Sequence, residues 1–138
     1  MAIVLLINDP YHHTKAKERA LTLAKEFKDS LLVLFVIDPA WLDSLAYTVA
    51  EQGWLGSDMK RRIGKALKEG LHLFGRDVLT TIKNEAEALN IPVTTTLQSG
   101  SLRGSIDELI RHGHSPIIVA RRQNDEAYPD AVEVIEDA

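Results

Sequence analysis

Four residues carry most of the chemistry this sequence offers: Asp9, Gly100, Arg121 and Arg122. Asp9 follows an apolar run and precedes a proline, so it stands at the tip of the segment Ala2 to Ile7. Gly100 lies in the turn Ser99-Gly100-Ser101 ahead of a helical pattern. Arg121 and Arg122 follow the apolar run Ile117 to Ala120. A carboxylate, a glycine turn at a helix N-terminus and two guanidinium groups would together suit a nucleotide or another phosphorylated ligand. Each also has a plainer reading. Asn8-Asp9-Pro10 is turn chemistry, Gly100 serves its turn, and the arginines are solvated at a strand tip.

Other constellations offer less. His12 and His13 are adjacent and have no carboxylate at ligand spacing, so they read as a loop pair. His112 and His114 flank Gly113 at a helix end, where basic groups suit the dipole. No metal is expected at either pair. The chain has no cysteine, which excludes thiolate metal sites, disulfides and cysteine nucleophiles. It has no Gly-x-Ser-x-Gly elbow, no Walker loop, no His-Glu-x-x-His and no dinucleotide-binding Gly-x-Gly-x-x-Gly. The expectation is a protein that is not an enzyme and has no resident cofactor. With 20 acidic and 16 basic residues the net charge is −4, which argues against a general nucleic-acid or anionic-membrane surface. No signal peptide or membrane-length apolar run is visible, so a cytoplasmic protein is expected.

The elements that must position these residues are legible in the hydrophobic pattern. Ala2 to Ile7, Leu31 to Ile37 and Ile117 to Ala120 are continuous apolar runs, the mark of parallel strands buried on both faces. Thr14 is read as the N-cap of a first helix whose buried face is Ala16, Ala20, Leu23, Ala24 and Phe27. The segment Ala40 to Gly56 holds both tryptophans and reads either as packing on its own domain or as a lid or partner surface. Ser57 caps a long helix with a stripe of Met59, Ile63, Leu67, Leu71, Phe74, Val78, Ile82, Ala86 and Leu89. Gly64, Gly70 and Gly75 inside it imply a kink or close packing. Val93 to Leu97 is β-branched, and Leu102, Ile106, Leu109 and Ile110 form a short helix that Gly113 ends. Ala131 to Glu136 is a last short strand. The reading is one α/β domain over residues 1–138, a doubly wound, mostly parallel five-stranded sheet in order 3-2-1-4-5 with helices on both faces. Ligands then gather where strand order reverses, between the first and fourth strands.

Taken in order, these segments resemble the universal stress protein family over nearly the whole chain. The resemblance rests on Ile3 to Asp9, the alanine-rich helix, Val33-Leu-Phe-Val36, the turn and helix from Thr94 to Ile110, and Ile117-Ile-Val-Ala120. It implies that Asp9 and the end of the second strand at Val36 would hold an adenosine. It also implies a phosphate loop of glycine, two residues, glycine, nine residues, then Gly-Ser or Gly-Thr. The matching positions here are Ala120, Gln123, Glu133 and Val134, with no glycine among them. Glycines allow backbone N–H groups to approach a phosphate closely, and side chains obstruct it. The resemblance therefore implies a stress-response protein that acts non-enzymatically as a homodimer through its last strand, with weak or absent ATP binding. The alternative is an adenine-nucleotide sensor, for AMP or ATP, using Asp9, Val36, Gly100, Arg121 and Arg122.

Overall fold

A computed structural model describes residues 2–8, 13–39, 57–121 and 132–136 of the chain. Its elements are β1 (Ile3–Ile7), α1 (Thr14–Phe27), β2 (Leu31–Ile37), α2 (Ser57–Ala88), β3 (Val93–Ser99), α3 (Leu102–Arg111), β4 (Ile117–Arg121) and β5 (Val132–Glu136). The sheet order is β3-β2-β1-β4-β5, and every pairing is parallel. The expected order is thus the observed one.

The order follows from handedness. Right-handed crossovers through α1 and α2 carry the chain outward from β1 to β3. The step from β3 back to β4 reverses direction and puts α3 on the opposite face. Strand residues alternate between the two faces accordingly. Ile3, Leu5, Ile7, Val33 and Phe35 pack with Ala16, Ala20 and Ala24 of α1 and Leu79, Ile82 and Ala86 of α2. Val4, Leu6, Leu34, Val36, Ile117 and Val119 pack with Ile106 and Leu109 of α3. Every residue of β1 is fully buried, which is what a strand with no polar position requires.

Several local expectations need correction. His13, not Thr14, is the N-cap of α1, and no side-chain hydrogen bond closes the cap; Thr14 is already helical. Phe27, expected inside, is 62% exposed, because it is the last residue of α1 and Lys28 turns left-handed straight after it. Phe74 and Leu89 are also exposed, and Leu79 takes the core position instead. Phe74 lies one position off the stripe of Leu71, Gly75 and Leu79 that faces the sheet, and Leu89 follows the last helical residue; α2 also outlasts the sheet. It has 32 residues, about 48 Å of helix, against seven-residue strands about 23 Å long. Among its described side chains Leu71 is the first buried one, and those of 61–70 are exposed or half-buried. The helix runs unbroken through Gly64, Gly70 and Gly75. Gly75 explains itself: a β-carbon there would lie 2.8 Å from Leu97 Cδ1 and 2.9 Å from Phe35 Cδ1. The tryptophan-bearing segment 40–56 lies outside the described residues.

Candidate functional site

Strand order reverses between β1 and β4, as expected, with α1 and α3 on opposite faces of the pair. Leu6 of β1 pairs with Val119, two residues before Arg121 closes β4. Asp9 and Arg122, the residues expected to meet here, lie outside the described residues, as does the side chain of Arg121. Val36 is placed firmly: it pairs with Gln98, is 1% exposed, and points to the α3 side. Two strand spacings, about 10 Å, separate β2 from β4, so Val36 and the end of β4 flank β1 from either side.

Gly100 closes β3 with φ 150, a conformation in which a side chain would be strained. Its N–H donates to the Ile37 carbonyl at 2.9 Å, tying the ends of β2 and β3 together. Gly100 and Val36 therefore belong to one corner of the strand tips, with the β4 terminus across β1.

The turn leads into α3 through a polar network that the hydrophobic pattern did not disclose. Ser101 is the N-cap, and its Oγ accepts the Gly104 N–H at 2.9 Å. A β-carbon on Gly104 would meet that same Oγ at 2.8 Å, so a small residue keeps the cap in place. Ser105, 8% exposed, donates through Oγ to the Ser101 carbonyl at 3.1 Å and accepts from Gln98 Nε2 at 2.9 Å. A serine opening an apolar-periodic helix is a readable N-cap signal. The pairing of Gln98 with Ser105 is not, because it needs the strand and helix already docked. At the other end of α3, His112 Nδ1 lies 2.8 Å from the Glu108 carbonyl, which also accepts the His112 backbone N–H at 3.0 Å. Gly113, at φ 78, then ends the helix as expected. Among the described residues no three His, Asp or Glu side chains converge to hold a metal, and no helix is long and apolar enough to cross a membrane.

Three of the four positions matched to a phosphate loop fall into the sheet, and Gln123 lies outside the described residues. Ala120 is buried in β4 and pairs with Ile135. Glu133 and Val134 are strand residues of β5, in register with Ile118 and Val119 and not at the strand tips. The Glu133 carboxylate accepts a hydrogen bond from Arg19 Nε of α1 at 2.8 Å. Only the ten residues 122–131 separate β4 from β5.

No protein-family model matches the chain, and no curated protein matches it in sequence. Solved structures do match. Universal stress protein UspA from Lactobacillus plantarum superposes with a TM-score of 0.67 at 13% identity, covering 98% of this chain and 97% of that one. A universal stress protein family member from Burkholderia pseudomallei gives 0.62 at 16% identity, covering 86% and 80%. Hypothetical protein MJ0577 gives 0.57 at 20% identity, covering 88% and 74%. With its strand order, its parallel pairing and its helices on both faces, the chain has the fold of the universal stress proteins.

Proposed function

We propose that the chain is a stress-response protein of the universal stress type, working in the cytoplasm without catalysis, as a homodimer, and with little or no affinity for ATP. The observation that carries the nucleotide reading is the placement of Glu133 and Val134 in the middle of β5. Residues inside a strand direct their N–H groups sideways in the plane of the sheet, toward β4 or the open edge, and not past the strand tips where a phosphate would lie. The short connection 122–131 has no glycine, and Gly113 is the last glycine in the chain. Arg121 and Arg122 remain as the groups that would hold an anion by charge-assisted bonds, with Asp9 and Val36 toward a base or ribose.

The dimer reading rests on β5, which is an edge of the sheet in the order found here. An edge strand exposes unpaired N–H and C=O groups, and antiparallel pairing with a second copy of β5 across a two-fold axis would satisfy them. Its Glu133 is engaged by Arg19 of its own chain, which lessens repulsion between symmetry mates.

Calorimetric titration with ATP and AMP tests the nucleotide reading. No saturable heat with ATP is the expected result, and a submicromolar dissociation constant overturns it. AMP binding lost in Asp9→Ala, with ATP still inert, would favour the sensor alternative. Light scattering at micromolar concentration is expected to give twice the chain mass.

A further inference from the structure

The outer face of α2 has a sequence that its own chain does not explain. At 100° per residue, Arg62, Ala66, Gly70, Leu73 and Asp77 fall within about 80° of arc, opposite the buried Leu71, Gly75, Leu79, Ile82 and Ala86. Arg62, Ala66, Leu73 and Asp77 are exposed, and Leu73 at 63% is the most exposed large apolar side chain among the described residues. Gly70, half-buried, sits midway along this face at one edge of the arc, and a β-carbon there would meet nothing within 4 Å. Unlike Gly75, it is not required by packing inside the chain, yet glycine costs an exposed helix about 1 kcal/mol relative to alanine.

The order along the face is basic, small, small, large, acidic. That order is complementary to its own reverse. Two copies of α2 laid antiparallel, with residue i opposite residue 139 − i, place Arg62 against the partner's Asp77 and Ala66 against the partner's Leu73. The two-fold axis then passes between Glu69 and Gly70, where the missing side chain lets the helices approach. This register forms the Arg62–Asp77 pair twice, and each Glu69, one residue along the axis from its symmetry mate, has Lys65 of its own helix 4.0 Å away.

We infer that the outer face of α2 is a docking surface for a second copy of this chain, paired antiparallel through Arg62–Asp77 and Ala66–Leu73 contacts across a two-fold axis at Gly70. This surface is separate from β5, which lies at one edge of the sheet while α2 lies over β2 and β3 near the other. A helix face about 24 Å long and on the order of 10 Å wide offers on the order of 240 Å² per partner, which places the contact among weak, reversible ones. A chain that also pairs through β5 would therefore use α2 to join dimers into larger assemblies.

The absence of cysteine allows the contact to be mapped directly. Full-length Ala66→Cys and Leu73→Cys chains, mixed and treated with a short bifunctional maleimide at about 100 µM, a range suited to weak contacts, are expected to cross-link one to the other. Each alone is expected to cross-link poorly, because Leu73 and its symmetry mate stand about 10 Å apart along the axis. Efficient Leu73→Cys self-linking, or no linking between the two, overturns the proposal. A second test uses charge. Arg62→Glu is expected to weaken sedimentation-detected association at this face about tenfold, since each two-fold contact contains the pair twice. Adding Asp77→Arg is expected to restore it, and a double variant as weak as the single one refutes the pairing. All four positions are on the surface, so folding is retained and is checked by circular dichroism. A chain monomeric at β5 still gives the cross-link, whereas a β5 dimer without the cross-link rejects this surface alone.

Discussion

Gly75 and Gly70 lie five residues apart on α2, and a β-carbon added to each meets opposite surroundings. At Gly75 it meets the side chains of Leu97 and Phe35 under 3 Å away; at Gly70 it meets open space. The two mark a division within one helix. From Leu71 onward α2 is a structural element, holding the Leu79, Ile82 and Ala86 stripe against β2 and β3. Before Leu71 only Leu67 among its described side chains packs against this core, and the other described side chains of 61–70 do not belong to it. A hydrophobic period registers which way a helix faces, but not how far the sheet beneath it reaches.

Substitutions can break this contrast, and the largest effect is expected at Ile82. It is 1% exposed, and Ile82→Ala should cost about 2–5 kcal/mol in urea unfolding through a cavity beneath α2. The matching change on the outer face, Leu73→Ala, should stay within about 0.5 kcal/mol at submicromolar concentration. Equal losses at both would mean that the outer face is packed within the chain. Gly75→Val should cost about 1–3 kcal/mol, because the Phe35 ring cannot withdraw from a β-carbon 2.9 Å away without repacking.

How much of this was readable without coordinates differs from region to region. The apolar runs of β1, β2 and β4 and the right-handed crossover rule led to the observed strand order, and the long helix was expected from Ser57 to Leu89 against the observed Ser57–Ala88. The misplaced side chains lie at helix ends or just off the core stripe. Phe27 is the last residue of α1, Leu89 follows the last residue of α2, and Phe74 lies one position off the core stripe that Leu71, Gly75 and Leu79 define. The strand tips were harder. Val36 and Gly100 were placed because each belongs to a regular element or its first turn. The network of Gln98, Ser101 and Ser105 joins residues whose meeting depends on the docking of α3 against β3, which no spacing in the sequence encodes.

That network permits a finer test. Ser101→Ala removes the acceptor for the Gly104 N–H and should cost about 1 kcal/mol in the same unfolding measurement. A loss well above the cap's ordinary contribution would show that Gln98 and Ser105 are coupled to it. The smallest effect, opposite in sign, is expected at Gly70. Gly70→Ala should stabilise the dilute chain by up to about 1 kcal/mol, since the helix gains propensity and nothing obstructs the methyl group. The same substitution at Gly75 should show no such gain. If Gly70→Ala destabilises the dilute chain, the outer face is in contact within the chain and the contrast between the two glycines fails.

The central claim is the proposal about the strand tips: a chain with the universal stress protein fold and no glycine after Gly113 would not receive a triphosphate there. Amide chemical shifts of the full-length, isotope-labelled chain, followed while ATP is added to millimolar concentration, test it most directly. The expected result is no saturable shift at Asn8, Val36, Gly100 or Arg121. Saturable shifts clustered at those four amides, with a micromolar or tighter midpoint, would contradict it.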